Sequence, residues 1–205
     1  KKGMDLNHKL WTAKVLVENP EKIKEVHKEY FEAGANVAIT STYQASILGF
    51  KDLGYSEEEA EKFMRKSVEL AKEARLEACS NKDMWIAGSV GPYGAYLADG
   101  SEYRGDYTVD NQFLEEFHEK RIDILVKEGV DLLAIETIPN LEEIKVLLNI
   151  LCKYPEVVAW ITCSLRDSEH ISDGNRLEDV QLLLEENNQV IGYGINCVKP
   201  EFVTR

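Results

Sequence analysis

No apolar run in the 205 residues approaches the ~20 needed to cross a bilayer. The first residues, Lys1-Lys-Gly-Met-Asp-Leu-Asn7, carry no signal-peptide apolar core. No membrane partner is expected, and the predicted location is the cytoplasm. Basic residues are scarce: 24 Lys and Arg stand against 37 Asp and Glu, giving a formal charge of −13. That balance argues against nucleic acid and anionic surfaces, which reward clustered Lys and Arg. Cysteines are few and widely spaced (Cys79, Cys152, Cys163, Cys197), without a Cys-x-x-Cys pair. They read as reduced thiols, not as a disulfide framework. There is no internal repeat, low-complexity tract or linker, so one domain is expected.

The apolar residues that are present alternate between two periods. Val37–Tyr43, Met84–Val90, Val130–Ile135, Val157–Cys163 and Val190–Cys197 are short runs, apolar on both faces, and read as strands. Helices are predicted before the first and between all five. Asn19-Pro20 marks the start of one, Ser56-Glu-Glu-Glu59 is a capping box, and Pro139-Asn140 opens another. The helix-to-strand turns are tight (Ala33-Gly34, Glu128-Gly129, Tyr154-Pro155). The strand-to-helix loops are long, above all Gly91–Tyr107. This asymmetry predicts a (β/α)8 barrel of the TIM type with its site at the carboxyl rim. A doubly wound open sheet shares the alternation, but no Gly-x-Gly-x-x-Gly turn follows any strand. Five strands cannot close an eight-strand barrel, so the barrel is incomplete within this sequence.

Strand ends are then the places to look for chemistry. Cys197 ends the last run, and spacing alone leaves it open between a packed reduced cysteine and a metal-binding thiolate. Glu136 ends an otherwise apolar strand, either as a solvated acid or as the partner of an ammonium. Tyr43 and Gln44 follow the first strand. Ser164, Arg166, Asp167 and His170 occupy the rim loop after the fourth, with Arg166 and Asp167 suggesting a loop-fixing ion pair. No lysine stands at a strand end, which removes Schiff-base aldolase chemistry. His27 and His118 fall within helices as surface or packing residues. Cys163 ends the strand beside that of Cys197, but two thiolates alone would make a poor zinc site.

Taken together, Asp5-Leu-Asn-His-Lys-Leu-Trp11, Gly88-Ser-Val-Gly-Pro-Tyr-Gly-Ala-Tyr-Leu-Ala-Asp-Gly-Ser-Glu-Tyr-Arg-Gly-Asp-Tyr107, Glu136-Thr-Ile-Pro-Asn140, Leu165-Arg-Asp-Ser-Glu-His170 and Gly194-Ile-Asn-Cys197 occur in an order that resembles the homocysteine S-methyltransferase family. The branch it is similar to uses S-methylmethionine or S-adenosylmethionine as methyl donor. The resemblance implies a barrel holding one zinc ion through three cysteines, of which Cys197 matches one. The other two lie in a Gly-Gly-Cys-Cys motif that this sequence lacks, as it lacks the Asp-Gly-Gly segment of the family's first strand. Residues 1–205 are thus expected to form part of a single homocysteine-binding barrel domain, inactive by themselves, with the first and last strands outside them. The resemblance further implies that Glu136 binds the homocysteine amino group. Trp11 and Thr12 would lie on the methyl-donor side, with Tyr43 and Gln44 lining the pocket and Asn196 orienting Cys197. The competing expectation is a non-catalytic partial barrel that associates through its open sheet edges.

Overall fold

The computed structural model describes residues 11–78 and 83–203, the side chains of 11–14 excepted. After α1 (Trp11–Glu18) and α2 (Pro20–Glu32), strands alternate with helices. They are β1 (Val37–Ile39), α3 (Ile47–Asp52), α4 (Glu57–Glu77), β2 (Trp85–Val90), α5 (Tyr93–Leu97), a 3-10 turn (Ser101–Tyr103) and α6 (Asn111–Lys127). Then come β3 (Leu132–Ile138), α7 (Leu141–Leu151), β4 (Ala159–Cys163), α8 (Leu177–Glu185) and β5 (Val190–Ile195). Every strand pairs in parallel with the next, in the order β1-β2-β3-β4-β5. A doubly wound sheet must reverse its strand order at a switch point. A strictly sequential parallel order is that of consecutive barrel units.

Local sequence explains the helix starts. Ser56 accepts from Glu59 N at 3.2 Å while Glu59 reaches back to Ser56 N at 2.8 Å, a complete capping box. Asn140 accepts from Glu142 N and Glu143 N, and Asp110 from Phe113 N. Asn19 stands at the start of α2 as expected, yet its side chain makes no capping bond, so Pro20 carries that signal.

Two corrections to the sequence reading bear on the site. The first strand ends at Ile39, not Tyr43, because side chains take over the backbone's hydrogen bonds there. Thr40 Oγ1 accepts from Ser89 N, and Thr42 Oγ1 donates to Ser89 O at 2.7 Å. The strand-to-helix connection 44–55 is not all loop, as the reading of such connections as long loops implied: it contains α3, capped by Ser46 Oγ at Gly49 N.

The main core lies between the sheet and the helices, with Ile86, Leu133, Ile135, Ile161 and Cys163 facing Leu125, Leu147 and Leu184. On the inner face Ala87, Leu132 and Ala134 pack with Val37, Val158 and Trp160. No helix among the described residues is long and apolar enough to cross a membrane.

Candidate functional site

The site is built at the carboxyl ends of β3 and β5. In β3 the residues facing the helices would alternate as Leu133, Ile135, Thr137. Instead Ile135 pairs with Ile161 and Ile138 with Cys163, so β3 carries one residue more than β4. This bulge keeps Ile138 in the outer core and presents both Glu136 and Thr137 at the rim. Thr137 takes up the irregularity at φ 63°. β5 ends in a comparable way: Asn196 N donates to Cys163 O, and Cys197 turns at φ 51°.

The two turns meet. Thr137 Oγ1 donates to Cys197 Sγ at 3.9 Å and accepts from Asn196 Nδ2 at 3.0 Å. The Thr137 backbone N–H donates to Thr162 Oγ1 on β4. Cys197 itself is exposed. Beside them Glu136 is largely buried, and that burial raises its carboxyl pKa; the Trp160 and Ser89 side chains pull it the other way. Ser89 Oγ is buried, and its contact with Glu136 falls short of a well-formed hydrogen bond.

Tyr43 and Gln44 form the adjoining wall. Burial raises the Tyr43 phenol, against a contact with Thr137, and the charges of Glu102 and Cys197 add to the rise. Gln44 Nε2 donates to Ala95 O at 3.0 Å, while its Oε1 is buried and unpartnered. The long loop 91–107 is itself folded and pinned. Arg104 bonds Asp99 O, Ser101 Oγ and Asp106, and Tyr96 donates to Asp52. At Gly94 a Cβ would sit 2.6 Å from Glu102 N, so only glycine lets α5 lie this close to the turn behind it.

Behind this wall lies a buried polar network that the sequence did not reveal. Glu143, fully buried on α7, accepts from Tyr93 N at 2.6 Å, from His118 Nε2 at 2.7 Å and from the Tyr107 hydroxyl. Arg121, also buried, donates to Tyr43 O, Ala45 O, Gly91 O and His118 Nδ1. Arginine only donates, so His118 Nδ1 must accept and Nε2 must carry the proton toward Glu143. His118 is therefore a neutral link, and burial lowers its pKa. Three ionisable groups bridge α6 and α7 to the strand ends. The one signal in the sequence was the i, i+3 spacing of His118 and Arg121, which points both side chains to one helix face.

The structure thus brings Glu136, Tyr43, Gln44, Asn196 and Cys197 to one rim. The side chains of Trp11 and Thr12 lie outside the described residues. Cys163 faces α8 in the core, where burial pushes its thiol up to about 12, and it takes no part in the rim. Asp167 anchors its loop through Glu169 N, His170 N and His170 Nδ1, with Arg166 at the longer distance of 3.7 Å.

Comparison with known proteins is decisive for kinship. The family model for homocysteine S-methyltransferase matches residues 1–205. The chain belongs to the homocysteine S-methyltransferase family. It is 50% identical over 207 residues to the homocysteine S-methyltransferase of Escherichia coli (strain K12), covering 99% of this chain and 67% of that protein. To homocysteine S-methyltransferase YbgG of Bacillus subtilis (strain 168) it is 48% identical, covering 96% of this chain and 65% of that one. The metallated form of the homocysteine methyltransferase MmuM from Escherichia coli superposes with a TM-score of 0.93 at 50% identity, over 98% of this chain and 71% of that one. The chain spans about two-thirds of the length of these relatives.

A metal in this homocysteine S-methyltransferase family member would need ligands at the rim. Cys197 fits as one: its thiol is exposed, stands at a strand end, and has a hydroxyl donor at 3.9 Å. Among the described residues no three His, Cys, Asp or Glu side chains converge as a metal would require. The rim therefore offers one thiolate ligand, not a whole set.

Proposed function

We propose that the polypeptide carrying these residues transfers a methyl group from a sulfonium donor, S-methylmethionine or S-adenosylmethionine, to homocysteine, and that residues 1–205 form part of its single barrel domain. The homocysteine thiol loses its proton to solvent at the exposed rim, and its sulfur lone pair forms the new bond to the methyl carbon. The donor's S–CH3 bond breaks, its electron pair returning to a sulfur that becomes a neutral thioether. A free thiol titrates near ~8.5 and is mostly protonated at neutral pH. Zinc held by cysteine thiolates would supply that deprotonation when bound. Cys197 contributes one ligand, two further cysteines being expected from outside residues 1–205. Glu136 holds the homocysteine ammonium, and Asn196 and Thr137 orient Cys197.

One observation above all supports this reading. Four buried polar atoms without partners, Gln44 Oε1, Ser89 Oγ, Glu102 Oε2 and Asn196 Oδ1, lie on the residues of this one rim. Native proteins rarely leave such atoms unpaired, and an ordered water or a ligand completes them. All four can accept, which suits ligands that bring ammonium groups. The test is zinc content and methionine formation by the full-length polypeptide, with Cys197→Ser and Glu136→Gln beside it. Cys197→Ser should lose both. Glu136→Gln should keep its zinc while the KM for homocysteine rises roughly tenfold or more. Absence of methionine formation with either donor in the unsubstituted protein would refute the proposal. A second reading, association through unpaired edges, draws on the exposed Ile39 of β1 and Ile191 of β5. Sedimentation of residues 1–205 alone tests it.

A further inference from the structure

Glu102 has been assigned no role above beyond its unpaired Oε2, yet it is the second carboxylate at the rim. It sits on the 3-10 turn Ser101–Tyr103. Its backbone is held from below, because Ser164 Oγ donates to Glu102 O at 2.7 Å and also bonds Ser172 Oγ at 2.8 Å. From above, α5 presses on the same residue at Gly94. A residue clamped on both sides has its side chain aimed by the fold, not left to wander. Oε2 is buried and bonded to nothing, an unstable arrangement for an anion unless a cation comes to it. Burial raises the carboxyl pKa, against a hydrogen bond from the residue's own backbone N–H; Asp99 adds to the rise and Arg104 opposes it. Gln44 bonds Ala95 O and Gly94 abuts Glu102 N, so the Tyr43–Gln44 wall and the turn bearing Glu102 and Tyr103 flank the same short helix α5; in keeping with this, the charges of Glu102 and Cys197 both reach Tyr43 and Tyr103. Glu102 sits on the 3-10 turn Ser101–Tyr103 and Glu136 on β3, so the rim carries two carboxylates on separate elements.

Both substrates of the proposed reaction carry an ammonium group, and the methyl donor alone carries a sulfonium as well. We propose that Glu102, with Tyr43 and Tyr103 beside it, is the receptor for the sulfonium group of the methyl donor, leaving Glu136 to the ammonium of homocysteine. The assignment rests on the methyl-transfer reading. A carboxylate against aromatic rings suits an onium ion, which has no N–H to donate and is held by charge and by ring faces. The position near Cys197 is the one that in-line transfer to a sulfur held there demands.

The charge balance sets the kinetic signature. The sulfonium loses its positive charge as the methyl leaves, so Glu102 stabilises the bound donor more than the transition state. Glu102→Gln should therefore raise the KM for S-methylmethionine by roughly tenfold or more while kcat does not fall and the KM for homocysteine stays put. A readout independent of turnover is binding of S-methylmethionine against methionine, which share the amino-acid end and differ in the sulfonium. The unsubstituted, metal-loaded full-length protein should prefer the sulfonium, and Glu102→Gln should abolish that preference. Glu102→Asp, which keeps the charge on a shorter arm, should restore part of it, and Glu116→Gln serves as a remote charge control. If methyl transfer proceeds and the preference survives in Glu102→Gln, the assignment is overturned. A uniform loss of kcat with unchanged donor binding would also overturn it, in favour of a structural role. If the unsubstituted protein transfers no methyl group at all, the functional reading fails first and takes this assignment with it.

Discussion

Glu143→Ala tests whether the buried network behind the rim holds the rim in place. Glu143 is fully buried and accepts three hydrogen bonds, from Tyr93 N, His118 Nε2 and the Tyr107 hydroxyl. Alanine leaves all three donors without an acceptor in a site closed to water. Each orphaned donor costs about 1–3 kcal/mol. The removal also strips Arg121 of the anion that balances it, and breaking a buried charge pair costs about 3–5 kcal/mol. These terms share partners and do not add, so the expected loss is about 4 kcal/mol. In a chain of this length that corresponds to a fall in Tm of about 8–16 °C.

Glu143→Gln separates charge from shape. The amide oxygen still accepts one bond, and the Tyr107 hydroxyl can reverse to accept from the new NH2. The loss should then be about 1–2 kcal/mol, leaving the arginine charge as the remaining penalty. Urea unfolding followed by circular dichroism gives both values. Hydrogen exchange should show 91–107 opening first in the alanine variant, since Tyr93 and Tyr107 sit at either end of that loop. A loss below about 1 kcal/mol for Glu143→Ala, or unchanged exchange in the loop, would refute the reasoning.

His27 Nε2 is buried without a partner, and burial lowers the imidazole to about 4 from 6.5. Because the folded pKa is depressed, the stability it carries is complete above pH ~6.5 and drains away as pH falls toward ~4. The loss is at most about 3 kcal/mol; His27→Phe should flatten that slope in unfolding curves measured across the window. Iodoacetamide at pH 8 should modify the exposed Cys197 and Cys152 and spare Cys163, buried and pushed up to about 12. Zinc should protect Cys197 alone, its removal by a chelator restoring the labelling, as peptide mapping would show. Thr137→Gly should fold normally, because glycine tolerates φ 63°, yet weaken metal binding in a chelator competition by about 10–100-fold.

How much of this was legible in the sequence follows from which forces act locally. Strand-helix alternation and the parallel sheet came from apolar runs, whose burial on both faces leaves a one-dimensional trace. Ser56 and Asn140 could be placed because a cap acts within three residues. The end of β1 could not, since Thr40 and Thr42 spend their hydroxyls on Ser89, almost fifty positions away along the chain. The Arg121–His118–Glu143 group was invisible for the same reason: an acid on one helix and a base on another reveal nothing until the fold stacks them. Glu102 escaped notice because an acid in a polar loop is ordinarily solvated, and only its buried, unpaired oxygen marks it out.

The strained turns give the strongest physical argument that the rim is built for chemistry. Among the described residues, positive φ falls on glycine in turns such as Gly34 and Gly129, where only the chain's direction matters. Three other residues adopt it. Ala98 follows a short helix, while Thr137 on β3 and Cys197 after β5 touch each other across the end of β4, which lies between them. A non-glycine residue held in this region costs about 1–3 kcal/mol, and for a β-branched threonine the clash is at its worst. Glycine would relieve both positions, but it has neither the hydroxyl that bonds Asn196 and Cys197 nor the thiol. The strain is concentrated where two side chains must meet a third group in a fixed direction, and a rim that served only to end two strands would have no reason to carry it.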